Sequence, residues 1–66
     1  MQAVIIMGDT RHRLDLEPGT TLEAAFRTLG GLPDTHLFLR GKTPVPMTAP
    51  MQEGDEIVAL RIASGG

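Results

Sequence analysis

Leu22, Ala25, Phe26 and Leu29 recur at i, i+3, i+4 and i+7, which is the spacing of one apolar stripe on a short helix. A helix of that length is marginal in water by itself, so the stripe must lie on a surface supplied by the rest of the chain. Thr20 followed three residues later by Glu23 has capping-box spacing, and Gly30-Gly31 offers the left-handed residue at which helices end. The helix is therefore predicted to start at Thr20 and to stop at Gly30. Its covering surface has to come from β-type segments on either side.

Such segments are present. Residues 2–7 form a short run rich in β-branched residues, stopped by the turn chemistry of Gly8-Asp9-Thr10. Arg11 to Leu16 then alternates, with His12, Leu14 and Leu16 on one side and Arg11, Arg13 and Asp15 on the other, as in a strand with one wet face. After the helix, His36 to Arg40 reads as a third strand left through Gly41-Lys42, and Ile57 to Ile62 is the strongest strand pattern in the chain. Between those two, Pro44, Pro46 and Pro50 cannot donate to a ladder. Residues 43–54 are therefore expected to be a loop pinned by Val45, Met47 and Met51. The order strand, strand, helix, strand, strand, with one helix on one face of a mixed four-stranded sheet, is an α+β chain of β-grasp architecture. Residues 1–62 form the domain and 63–66 a tail ending in Gly65-Gly66.

Composition narrows the function. At 66 residues there is room for one domain, and a net charge of −2 with 41% apolar residues describes a folded chain without a charge-driven partner. Two Phe, no Trp or Tyr and six scattered cations argue against nucleic-acid binding. No cysteine is present, so any sulfur chemistry would need a partner's cysteine. The longest apolar run, Ala3 to Met7, is far below the ~20 residues of a membrane span, and the chain reads as cytoplasmic with no membrane partner. His12 and His36 lie on separate strands without acidic neighbours at metal-ligand spacing. Asp55 and Glu56 are adjacent, which on a strand sends them to opposite faces, unlike a catalytic pair. Gly30-Gly31 lacks the further glycines and lysine of a phosphate loop. No enzyme, metal site or bound cofactor is expected.

The last strand poses a question of its own. Ile57 and Ala59 alternate with Val58, Leu60 and Ile62, and both sets are apolar although one alone can face the helix. Val58, Leu60 and Ile62 are assigned to the open face together with Phe38, which places Leu37 and Leu39 under the helix. The result is an apolar patch rimmed by Arg40, Lys42 and Arg61, a candidate protein-binding surface. Cover by the 43–54 loop or self-association would account for the same pattern.

Leu39-Arg40-Gly41-Lys42, Pro44-Val45-Pro46, Glu53-Gly54-Asp55-Glu56-Ile57 and the terminal Ser64-Gly65-Gly66 together resemble the ubiquitin-like sulfur carriers and small modifiers. These comprise the thiamine and molybdopterin sulfur carriers, the tRNA-thiolation carriers and the small archaeal modifiers. The combination of a Gly-Asp entry to the last strand with a terminal diglycine is the specific part. The resemblance implies that Gly66 is the acyl carbon and that Gly65 and Ser64 thread the channel of an adenylating enzyme of the ubiquitin-activating type. It also implies that Phe38 and Leu60 lie where ubiquitin shows its apolar patch. Lys42, the only lysine, occupies the turn position where ubiquitin carries a chain-linking lysine, and it is the one side-chain isopeptide acceptor for self-modification, or else a solvated turn lysine. Ile62-Ala63 stands where the molybdopterin carriers often have paired prolines, which tilts the resemblance toward tRNA-thiolation carriers and archaeal modifiers.

Physical chemistry fits that role. A terminal carboxylate, with an ordinary pKa of about 3.3 to 3.7, is ionised at neutral pH and is a poor acyl donor until adenylated. Two glycines have no Cβ and can pass through a narrow channel. Three functions remain open: a sulfur carrier ending in a thiocarboxylate and serving a sulfur-donor or sulfur-accepting enzyme, a modifier joined to target lysines, and an interaction subunit that binds through its sheet alone.

Overall fold

The computed structural model describes residues 1–62. The tail expected at 63–66, with Ser64, Gly65 and Gly66, lies outside them. The described elements are β1 (Gln2–Met7), β2 (Thr10–Asp15), α1 (Leu22–Thr28), one turn of 3₁₀ helix (Pro33–Thr35), β3 (His36–Arg40), β4 (Thr43–Val45) and β5 (Glu56–Arg61). The strands form one mixed sheet in the order β2-β1-β5-β3-β4. β1 and β5 run parallel at its centre, with Ile5 opposite Ile57, and the other pairs are antiparallel.

One face of this sheet carries α1. Ala3 and Ile5 of β1, Phe38 of β3 and Ile57 and Ala59 of β5 are buried against Leu22, Ala25 and Phe26, and Met51 from the following loop joins them. The helical stripe is used as its spacing predicts, with Leu29 packed at the edge. Phe26 is the centre of this core, edge-to-face with Phe38 at 5.1 Å and with His36 at 4.7 Å between ring centroids.

The helix starts one residue later than the capping-box spacing suggested. Thr21 is the cap, its Oγ1 accepting from the Ala24 N–H at 3.3 Å, whereas the Thr20 amide and hydroxyl both donate to Glu17 O, at 3.1 and 2.7 Å. The first two helical amides, Leu22 and Glu23, donate to Ala49 O at 2.9 Å and to Met47 O at 2.8 Å. The 46–51 loop thus supplies acceptors for donors that a helix cannot satisfy internally, which is the work its carbonyls do in place of a sheet ladder.

The two glycines after the helix serve different purposes. Gly30, at φ +79°, is the left-handed residue of a Schellman motif in which Gly30 N–H donates to Arg27 O and Gly31 N–H to Phe26 O. Gly31 has no positive φ. A Cβ there would sit 2.3 Å from Cε2 of Phe26, so the position is small because the chain passes directly over the core ring.

The sheet has five strands rather than four. Pro44 lies within β4, opposite Leu39, in a stretch expected to be loop because of its prolines. β4 is an edge strand of three residues, the setting in which a missing N–H is tolerated.

Candidate functional site

The face of the sheet away from α1 carries no helix. Because paired residues in neighbouring strands share a face, the register places Leu37 and Leu39 of β3 beside Leu60 and Val58 of β5, and Val58 beside Ile6 of β1. Leu60 is 45% and Leu37 40% exposed, while Val58, Leu39, Val4 and Ile6 are half-buried. Ile62, just past β5 and 47% exposed, continues the same alternation, and its N–H donates to Thr35 O at 2.9 Å. The apolar patch expected from the last strand is therefore present, and Val58, Leu60 and Ile62 belong to it.

Its other members differ from expectation. Phe38 is 2% exposed in the core against Phe26, so it cannot be offered to a partner, and Leu37 and Leu39 take the open positions instead. The parity of β3 is reversed relative to the sequence reading because both polar residues on the core side are satisfied there. His36 stacks on Phe26, and Arg40 meets Asp55. A strand reading His-Leu-Phe-Leu-Arg gives no hint of either partner.

Arg40 is accordingly not on the rim of the patch. Its Nε donates to Asp55 Oδ1 at 3.0 Å and its Nη2 to Asp55 Oδ2 at 2.9 Å and to Pro50 O at 3.3 Å. Asp55 is 7% exposed and also accepts from the Gln52 N–H at 2.7 Å. Burial pushes the Asp55 carboxyl up, but the Arg40 hydrogen bond, the Gln52 N–H and the Arg40 charge outweigh it and hold the group below the usual carboxylate range. The same pair raises the Arg40 pKa against the opposing effect of burial. Arg61 also leaves the patch. It lies opposite His36 on the helix side, lining a cleft of about 640 Å³ with Met7, Leu32, His36, Ala59 and Leu60 at the end of β5.

The cations that do share the open face are on β2. Arg13 pairs with Val4 and Arg11 with Ile6, and Arg11 reaches across β1 to Glu56 at 3.3 Å in an exposed ion pair. Sequence alternation had placed Arg11 and Arg13 together on one side of their strand without showing that this side continues into the patch. Lys42 is exposed in the turn between β3 and β4. Among the described residues no three His, Asp or Glu side chains converge as a metal site would require, and no helix is long and apolar enough to cross a membrane.

The crystal structure of SAMP1 from Haloferax volcanii aligns over all of both chains, with a TM-score of 0.75 at 19% identity. The fold is a ubiquitin-like β-grasp. By sequence the chain matches no family model and no curated protein. In this β-grasp the strand that precedes the diglycine contributes Val58 and Leu60 to the open face, and Ile62 follows directly after it.

Proposed function

We propose that the chain is a ubiquitin-like carrier that acts in the cytoplasm through the Gly66 carboxylate and is a substrate of other enzymes rather than a catalyst. The observation that carries this reading is the diglycine three and four residues beyond Ile62, in a sequence whose fold is shared with SAMP1, a small archaeal ubiquitin-like modifier. In the first step a carboxylate oxygen of Gly66 attacks the α-phosphorus of ATP held by an activating enzyme, releasing pyrophosphate and leaving an acyl adenylate. In the second the terminal sulfur of a partner's persulfide attacks the acyl carbon and expels AMP. A thiol of the partner then cleaves the resulting acyl disulfide, becoming oxidised to a disulfide and freeing a thiocarboxylate on Gly66. The absence of cysteine from this chain is consistent with both sulfur groups belonging to partners. The thiocarboxylate would supply sulfur to a tRNA base or a cofactor precursor.

Docking of the activating enzyme is assigned to Leu37, Leu39, Val58, Leu60 and Ile62, with Arg11 and Arg13 beside them. An apolar patch bordered by charge suits a protein partner. Adenylation by the host's activating enzyme with ATP, then incubation with a persulfide-bearing partner and thiol, each followed by intact-protein mass spectrometry, tests the reading. Adenylate formation and exchange of one terminal oxygen for sulfur are expected, and deletion of Gly65-Gly66 should abolish both. A full chain that forms no adenylate, with partner binding that survives the deletion, would leave a non-covalent interaction subunit instead.

A second reading has its own support. The fold is shared with a small modifier, and Lys42 stands exposed in a turn. The same adenylate captured by a lysine amine gives an isopeptide bond, detectable as a Ser64-Gly65-Gly66 remnant on target lysines, or on Lys42 itself if the chain modifies its own kind.

A further inference from the structure

We infer that the free edge of β2 is a second docking site, bordering the open face through Arg11 and Arg13 and independent of the tail, which takes an extended peptide with acidic side chains at alternate positions. The ladder shows which groups are available. Met1 and Leu16 exchange both backbone hydrogen bonds, each at 2.7 Å. In an antiparallel pair such doubly bonded positions alternate with unbonded ones. Leu14, His12 and Thr10, opposite Ala3, Ile5 and Met7, therefore turn their amides and carbonyls inward to β1. Arg11, Arg13 and Asp15 turn theirs outward, where the sheet ends.

The opposite edge offers much less. β4 is three residues long with Pro44 at its centre, a combination that discourages strand addition. β2 has six residues, no proline and no glycine. It is also guarded against its own kind, because antiparallel pairing of two β2 edges centred on Arg13 would set Arg13 against Arg13.

The chemistry of the occupant follows from the same register. A peptide residue that exchanges both hydrogen bonds with Arg11 or Arg13 lies directly opposite it, with its side chain on the same face. Carboxylates at those positions meet guanidinium groups. Arg13 has no ion pair among the described residues, and the Arg11 to Glu56 pair is exposed at both ends and free to exchange. The intervening peptide side chains fall on the other face, flanking the half-buried His12 and Leu14, and should be aliphatic. The partner segment is thus an acidic and aliphatic alternation added as a sixth strand.

The test is titration of the isotope-labelled full chain with a blocked peptide alternating Glu and Val, followed by amide chemical shifts and hydrogen exchange. Shifts and slowed exchange are expected at Arg11, Arg13 and Asp15. N-methylation of the Glu amides, which face β2, should abolish binding, and N-methylation of the Val amides should not. Arg13→Glu, an exposed change that leaves the fold intact, should weaken binding about tenfold and favour a Lys and Val peptide instead. The inference is overturned if the peptide does not bind, if its shifts map to Leu37, Val58 and Leu60, if N-methylation makes no difference, or if the β2 amides become protected by self-association without peptide.

Discussion

Arg40 and Asp55, fifteen residues apart, face each other through two parallel hydrogen bonds of 3.0 and 2.9 Å, and the carboxylate also holds the Gln52 N–H. The pair ties the end of β3 to the turn that launches β5. Removing the acid leaves a guanidinium and a backbone donor without their acceptor. Asp55→Ala is expected to cost about 2 to 3 kcal/mol, less than a wholly buried pair because Arg40 is partly exposed. Urea unfolding at neutral pH measures it.

The same pair sets an acid dependence. Asp55 titrates below its unfolded value in the native state, so its stabilisation is fully present above the unfolded carboxylate pKa of about 3.9 and is lost as the pH falls through the lower folded pKa. In Arg40→Met the largest lowering influence is gone while burial remains, so the variant should start less stable at neutral pH and lose less of its stability than the parent as the pH falls. Unfolding midpoints measured from neutral pH into the acid range should separate the two curves. Coincident curves would mean that the pair is not formed in solution.

Gly30 and Gly31 should answer differently to the same substitution. Gly30→Ala forces a left-handed alanine and should cost about 1 kcal/mol, with Gly30→Asn milder. Gly31→Ala drives a methyl group into the Phe26 ring, which His36 and Phe38 hold from other sides, and about 2 to 3 kcal/mol is expected, with no relief from Asn. Thermal unfolding of the four variants checks the pattern.

On β3, neighbouring substitutions should part company. Phe38→Ala removes a buried ring for about 3 to 5 kcal/mol, a large share of the roughly 3 to 10 kcal/mol that a chain of 66 residues commands. Leu37→Arg and Leu60→Arg lie on the open face and should change stability by only about 0.5 kcal/mol while weakening engagement of the activating enzyme. Unchanged affinity would remove this face from the interface.

Much of the fold could be read from periodicity. The stripe Leu22, Ala25, Phe26 and Leu29 and the alternation of β2 each specified an element and a buried side, while β5, apolar at both parities, specified an element alone. β3 was misread because a central strand with apolar residues at both parities carries no internal signal. Its inward face was decided by Asp55 and Phe26, distant in sequence, which made a histidine and an arginine acceptable on the core side. Thr20 and Thr21 present the same cap chemistry one residue apart, and the choice fell to Thr21 because Glu17 O takes the Thr20 amide and hydroxyl. Pro44 was expected in a loop because it cannot donate to a ladder, yet an edge position in the sheet remained open to it. The membership of the open face followed the β3 parity, so Leu37 and Leu39 stayed hidden until register was known.

The parallel contact of β1 with β5 also governs when the protein can exist as such. Ile5 finds Ile57 only after β5 has been made, and until then the ribosome holds two hairpin-like pieces and a helix with no common interior. A nascent or prematurely ended chain that lacks Ile57 and Ala59 has no core to close. Synthesis of the segment following Ile62 thus comes just after completion of the strand on which folding waits, so a translation product cut short within β5 would present proteases with an open chain rather than a partner with a finished domain.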